Sequence, residues 1–180
     1  MQFYLETERL ILRELLETDI DGIFELDSNP EVHKYLGNNP IKTKKKAEEI
    51  ITFVRNQYKE LGIGRFACIE KSTGEFIGWS GLKLNTGKKE GLNGFTDFID
   101  IGYRLIPRFW GKGYASESAF ATLNFGFTKM NYETIYGAAE IENIGSNKIL
   151  QKIGLQFQNE FIYDDVKVNW YRLTREDYGK

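Results

Sequence analysis

The sequence predicts an α/β (α+β) chain in which helices cover both faces of a mixed, mostly antiparallel sheet of about six to seven strands. Three observations lead there. The apolar period switches between 3.6 and 2, in the order strand, helix, helix, three strands, helix, strand, helix, two strands. A β-like run, Phe98 to Ile106, passes through Pro107-Arg108-Phe109-Trp110-Gly111-Lys112-Gly113-Tyr114-Ala115 straight into a helical pattern. The 180 residues are read as one domain, 1–180, enough to bury roughly 70% of the unfolded surface.

Arg9-Leu10-Ile11-Leu12-Arg13 reads as the first strand. Thr18-Asp19 offers a cap for a helix through Ile20, Ile23, Phe24 and Leu26, which Asn29-Pro30 stops. The turn-rich stretch from Glu31 to Pro40 reads as a folded-over helix or loop. Thr43 caps a second helix with apolar positions Ala47, Ile50, Ile51, Val54, Tyr58 and Leu61, ending at Gly62. Arg65–Glu70 and Phe76–Leu84 then make a hairpin across Lys71-Ser72-Thr73-Gly74. Asn85 to Gly94 is rich in glycine and lysine and reads as a mobile loop. Beyond the glycine turn, Ala115, Ala119, Phe120, Leu123, Phe127 and Met130 repeat at helical spacing. A strand at Thr134–Glu140 and a short helix, Ser146 to Ile153 with Gly154 as its stop, come next. Phe157–Tyr163 and Val166–Leu173 close the chain as a hairpin across Asp164-Asp165.

Composition narrows the function. With 24 basic and 26 acidic residues the charge is nearly balanced, which argues against a nucleic-acid binder. One cysteine, Cys68, excludes an internal disulfide and suits a reducing compartment. The N-terminus has no basic region followed by an apolar core, and no apolar run approaches the ~20 residues of a membrane helix. The expectation is a cytoplasmic protein with no direct nucleic-acid or membrane partner.

The glycine turn carries the chemistry. Two glycines spaced by one residue present backbone N–H groups with no side chain in the way. The helix start adds unpaired donors and the positive end of its dipole. Strand, glycine turn and helix N-terminus together make a phosphate or pyrophosphate cradle.

Arg108-x-x-Gly111-x-Gly113 resembles the acyl-CoA signature of the GNAT acetyltransferase superfamily. The flanking text resembles its ribosomal-protein N-terminal (RimJ/RimL-type) branch: Thr7-Glu8-Arg9-Leu10-Ile11-Leu12-Arg13, Ile77-Gly78-Trp79-Ser80-Gly81-Leu82, Ile101-Gly102-Tyr103-Arg104-Leu105-Ile106-Pro107, Ala115-Ser116-Glu117-Ser118-Ala119, and Asn143-x-x-Ser146 running to Lys152-Ile153-Gly154-Leu155. The motifs cover nearly the whole chain, in order. The resemblance implies a GNAT-like fold and acetyl-CoA as co-substrate, with no metal. It places the pantetheine arm where Phe98–Ile106 and Thr134–Glu140 splay apart, pairing with backbone at Leu105 and Ile106. The pyrophosphate falls to Arg108, Gly111, Lys112, Gly113, Tyr114 and Ala115.

Acetyl transfer to an amine needs a neutral nucleophile, a positioned thioester carbonyl and a hydrogen-bond or proton donor for the departing thiolate. Many superfamily members supply that donor from a helix tyrosine seven residues after the asparagine; here that position is Leu150. Ser146 resembles the alternative hydroxyl of the RimL-type branch, close to a helix N-terminus whose dipole favours a negative sulfur. Asn143 is implied to bond the pantetheine arm, or else to cap the helix. Asp100 is the candidate base, with Glu140 as its rival and pairing to Arg104 as its alternative fate. An α-amine with a pKa near ~8 can also deprotonate to water.

The implied reaction is N-acetylation of a primary amine, foremost the N-terminal α-amine of a protein or peptide. The alternatives are a small amine, such as a polyamine, amino acid or aminoglycoside, and a non-catalytic acyl-CoA-binding module. Acceptor choice is expected in residues 29–43, the Asn85–Gly94 loop and the last hairpin. His33 and the Lys42, Lys44, Lys45 and Lys46 cluster border that region. Cys68 reads as core; Tyr103 and Trp79, on strands near the expected cleft, read foremost as core or else as shaping the acceptor site; Trp110 either covers the turn or packs under the helix. The Trp170-Tyr171 strand reads as core or as a homodimer interface.

Overall fold

The computed structural model describes residues 3–179. Tyr4–Glu6 (β1), Leu10–Arg13 (β2), Arg65–Glu70 (β3), Phe76–Asn85 (β4), Phe98–Leu105 (β5), Thr134–Glu140 (β6), Gln156–Tyr163 (β7) and Val166–Thr174 (β8) form a sheet in the order β1-β2-β3-β4-β5-β6-β8-β7. Neighbours are antiparallel except β5 and β6, which are parallel. The strand beyond the expected number is β1. Its three residues are too few for an alternating pattern to show in sequence.

Among the described residues five α-helices accompany the sheet: Ile20–Asp27 (α1), Pro30–His33 (α2), Lys44–Glu60 (α3), Tyr114–Thr128 (α4) and Ile144–Lys152 (α5). Asn29 does more than stop α1. Its side chain accepts from the Glu31 N–H at 2.9 Å, so Asn29-Pro30 also caps and starts the single turn of α2. In α3 the buried stripe is Ala47, Ile51, Val54 and Tyr58, as its period requires.

Small residues let α4 press on the sheet. A Cβ on Gly126 would come within 2.6 Å of Leu82 and 2.7 Å of Ile135, and Ser118, Ala119 and Thr122 are fully buried beside it. Leu82 and its β5 partner Ile101 therefore face α4. The alternate residues Trp79 and Arg104, also paired, face the other way, toward α1.

Trp170 and Tyr171 are each 1% exposed, so both side chains are core. The segment after β4 is fastened at several points. Glu90 accepts from Lys83 at 2.6 Å and from the Thr86 N–H at 2.9 Å, Asp97 accepts from the Gly87 N–H at 2.9 Å, and the Phe95 ring stacks on Trp170. Its glycines suggest mobility; its side chains supply anchors that no local pattern reveals. Cys68 is buried, and burial pushes its thiol up to about 12, consistent with a core role.

The sheet is nearly divided at its centre. Strands β5 and β6 share one registered pair, Asp100 with Tyr136, although β5 continues to Leu105. Past that pair the two strands diverge and leave a gap.

Candidate active site

At the end of β5 the chain enters a single 3-10 turn, Pro107–Phe109, and then the glycine turn. Gly111 has φ +72° and Gly113 φ +84°, both in the left-handed region that side chains resist. Nothing lies within 4 Å of where a Gly111 Cβ would project, so that side of the turn is open. Gly113 precedes α4 and provides no side-chain cap. The first intrahelical donor there is Glu117, bonding to the Gly113 carbonyl at 3.0 Å. The preceding N–H groups, of Tyr114, Ala115 and Ser116, are the unpaired donors every helix start presents. This arrangement fits a pyrophosphate.

A brace that the sequence did not expose holds the turn. Arg9 donates to the Lys112 carbonyl at 2.9 Å, pairs with Glu117 at 2.7 Å and lies over the Tyr114 ring. Glu117 also accepts from the Thr7 hydroxyl at 2.5 Å and from the Arg9 N–H at 2.9 Å. Burial alone would raise its pKa, but the bonds from Thr7 and Arg9 outweigh it and hold the carboxyl below its ordinary value. Two sequence motifs a hundred residues apart thus form a single structural unit. Tyr114 turns its hydroxyl inward to Glu70, so its backbone faces the cradle while its ring does not. Arg108 is held by Glu25 and, at 3.4 Å, by Glu75; its charge is shared with carboxylates. The Lys112 ammonium lies 5.1 Å from the centre of the Phe109 ring. Trp110 is half exposed and donates its indole N–H to the Leu105 carbonyl at 2.7 Å.

Leu105 and Ile106 separate in role. The Ile106 N–H donates to the Ile77 carbonyl at 2.9 Å and the Ile106 carbonyl accepts from Phe109 at 2.9 Å. The Ile106 N–H is thus engaged within the fold, while its carbonyl keeps a second lone pair. Because residues of an antiparallel ladder address opposite neighbours in turn, the Leu105 N–H points toward the gap.

Across the gap, α5 begins with Asn143, whose Oδ1 accepts from the Ser146 N–H at 3.1 Å. Asn143 is therefore a helix cap. The buried Asn147 ties this turn to the sheet, donating to the carbonyls of Glu140 and Asn143 and accepting from Asn169 and Tyr171, each at 2.7–2.8 Å. Ser146 is half-buried at the gap. The Tyr103 phenol, expected to be packing, reaches from β5 to within 3.1 Å of the Ser146 Oγ and 3.0 Å of its carbonyl. Leu150, where a helix tyrosine would stand, is 1% exposed and packs over Gly137.

On the opposite sheet face the charges are mostly matched. Asp100 accepts from Arg65 at 2.8 Å and from Asn85 at 3.0 Å, one on each oxygen. Its alternative partner, Arg104, is taken by the buried Asp27. The reason lies in glycines: Gly81 and Gly102 are side by side, and a Cβ on Gly102 would stand 2.9 Å from the Arg65 guanidinium. Arg65 crosses that bare strip to reach Asp100. Trp79 is flanked by both guanidiniums, Arg65 at 5.4 Å and Arg104 at 5.0 Å. His33 is buried 3.7 Å from Asp27, and burial, aided by Arg104, holds its pKa below the ordinary value. In the lysine cluster, Lys44 pairs with Asp21 and Lys46 with Glu49, all on exposed surface. The Glu140 side-chain carboxyl, at the end of β6, has no hydrogen bond or ion pair among the described residues, and burial raises its pKa. Alternation along β6 sets its side chain on the face of Tyr136, toward Trp170 and away from α5.

Comparison with known proteins agrees with this geometry. Residues 9–156 match the model of the acetyltransferase (GNAT) domain. The chain is 35% identical to an uncharacterized N-acetyltransferase p20 of Bacillus licheniformis, over 97% of this chain and 98% of the relative. It is 32% identical to the uncharacterized N-acetyltransferase YoaA of Bacillus subtilis, over 95% and 96%. A GNAT-family acetyltransferase of Bacillus anthracis superposes with a TM-score of 0.80 at 24% identity, over 97% of this chain and 99% of the other. A spermidine N-acetyltransferase of Vibrio cholerae, solved with CoA and spermine, gives 0.75 at 20% identity, over 97% and 100%. GNAT acetyltransferases use acetyl-CoA as co-substrate, and the uncapped helix start above fits its pyrophosphate. The chain belongs to the GNAT acetyltransferase family.

Proposed function

We propose that this acetyltransferase acts on the N-terminal α-amine of a protein or peptide, in the manner of the RimJ/RimL-type branch. The observation that carries the reading is the charge balance of the acceptor face. Asp27, Asp100 and Glu90 each meet an arginine or lysine, which leaves Glu140 as the carboxylate of β5 and β6 without a cation among the described residues. One carboxylate suits one amine. A polyamine, with several cations, calls for several unmatched carboxylates. Structural likeness to a ribosomal-protein-serine acetyltransferase of Vibrio cholerae and a ribosomal-protein-S5-alanine acetyltransferase of Vibrio fischeri, with TM-scores of 0.75 and 0.77, is compatible with this choice.

In this reading the turn from Gly111 to Ala115, with Lys112, holds the pyrophosphate, and the Leu105 N–H pairs with the pantetheine arm. Arg108 and Asn143 contribute by shaping the turn and the start of α5. Glu140 accepts the proton that the amine sheds. Its raised pKa makes it a better base once ionised than an ordinary carboxylate. Asp100, with both oxygens engaged, sets the position of Arg65 instead. The Ser146 hydroxyl donates to the departing thiolate near the positive end of α5.

Thiol release from acetyl-CoA, measured with peptides beginning in Ser or Ala and with spermine, spermidine and free amino acids, tests the acceptor. Peptides are expected to turn over fastest; preference for spermine overturns the assignment. Ser146→Ala is expected to lower kcat about ten- to a hundred-fold with little change in acetyl-CoA affinity.

A further inference from the structure

Ser146 has three polar groups, and the fold occupies all of them. Its N–H donates to Asn143. Its carbonyl and its Oγ both lie within hydrogen-bond distance of one phenol, that of Tyr103, at 3.0 and 3.1 Å. Tyr103 belongs to β5, beyond the last pair with β6, and reaches α5 from the other wall of the gap. We infer that Tyr103 is the positioning residue for Ser146, fixing which way the serine hydroxyl points during transfer. The inference rests on the thiolate-donor reading of Ser146 given above.

A phenol has a single proton, so the pair has two arrangements. When Tyr103 donates to the Ser146 carbonyl, the serine proton is free to point back at the phenol oxygen. When Tyr103 donates to the Ser146 Oγ, that return direction is closed and the serine proton must point outward. The second arrangement is the one that commits the serine proton to the sulfur side. Burial raises the Tyr103 pKa well above the ordinary tyrosine value, so the phenol keeps its proton and always acts as a donor. It is not a proton source for the reaction. As the new N–C bond forms and the C–S bond breaks, the amine nitrogen sheds one proton and the coenzyme A thiolate gains one through solvent. Both hydroxyls are regained unchanged.

The same geometry explains why Leu150 leaves no deficit. That side chain is core, against Gly137 and near Leu155. The aromatic hydroxyl is delivered from the strand and acts through serine.

A double-mutant cycle with Tyr103→Phe and Ser146→Ala tests this. The assay is thiol release from acetyl-CoA with the fastest amine of the panel above, alongside calorimetric acetyl-CoA binding and thermal unfolding. Tyr103→Phe is expected to lower kcat about ten-fold, with acetyl-CoA affinity changed less than about two-fold, because the bond matters in the transition state. In the Ser146→Ala background the same change is expected to cost nothing further. A full additional loss in that background overturns the inference, since Tyr103 would then act alone. Unchanged kcat in Tyr103→Phe also overturns it. Should Ser146→Ala keep wild-type kcat, the serine reading fails, a result visible without any Tyr103 variant. If Tyr103→Phe unfolds, 3-fluorotyrosine placed at 103 keeps the ring and makes a stronger donor. A rise in kcat of about two-fold is then expected, and no rise counts against the inference.

Discussion

The side of the site proposed for the acyl donor and the side proposed for the acceptor are made of different material. The donor side is backbone: two left-handed glycines, an uncapped helix start and one strand amide directed into a gap. The acceptor side is paired side chains, Asp27 with Arg104 and Asp100 with Arg65, joined across 77 and 35 residues of sequence. Backbone recognition depends on local conformation, which short motifs can encode. Side-chain recognition depends on who meets whom after folding. One side can therefore stay constant while the other is rebuilt by exchanging partners, which suits a scaffold that keeps one acyl donor and varies the amine.

The comparison can be broken first at Gly111. Gly111→Val places a β-branched residue at φ +72° and is expected to cost about 1–3 kcal/mol of stability. Its larger effect falls on the cradle: acetyl-CoA affinity drops by at least about a hundred-fold, read by calorimetry on a variant whose melting curve is still cooperative. Retained affinity would remove the pyrophosphate from this turn.

A second experiment separates the two carboxylates. Asp100→Asn leaves Arg65 without its charge partner in a half-buried setting, so stability should fall by about 1–3 kcal/mol with a smaller effect on turnover. Glu140→Gln is expected to do the reverse. Burial holds the Glu140 pKa above its ordinary value, so the folded state keeps that proton longer than the unfolded chain. Its contribution to stability falls as pH rises from the ordinary carboxylate range through the raised value, and glutamine abolishes that fall. With Glu140 as the proposed base, activity is expected to run the other way, growing as Glu140 ionises. Glu140→Gln should therefore lower kcat/KM about ten-fold at neutral pH and flatten the acid limb of the pH–rate profile, with no loss of melting temperature. Equal behaviour of the two variants would erase the distinction.

The smallest effect is expected at the brace. Arg9→Ala unties the Lys112 carbonyl and Glu117, and acetyl-CoA affinity should weaken about three- to ten-fold through a looser turn. Because the Arg9 side chain is 41% exposed, the melting temperature should hardly move.

How much was legible follows from this division. The order of the main elements, the glycine turn and the strand–helix junction were readable, because each is written in consecutive residues; the cap at Asn143 was only an alternative to a pantetheine contact, and α5 starts two residues before the expected Ser146. Ser146 was readable as a position on a first turn. Tyr103 was not, since a tyrosine in an apolar strand looks like packing until α5 is placed against it. Asp100 shares a strand face with Arg104, so pairing between them was a reasonable expectation. The bare strip over Gly81 and Gly102, which brings Arg65 across from β3, exists only once three strands are in register. The brace of Thr7, Arg9 and Glu117 had both halves visible as motifs and nothing to say that they touch.

The single β5–β6 pair has a consequence for the life of the protein outside the reaction. A sheet joined there by one residue pair gains cohesion from whatever spans the rest of the seam. Any compound that binds the folded chain alone raises its stability by an amount set by concentration over affinity, about 2.7 kcal/mol at a hundred-fold excess over Kd. With acetyl-CoA bridging the seam as proposed, its concentration would add to the folded chain's resistance to heat and proteolysis.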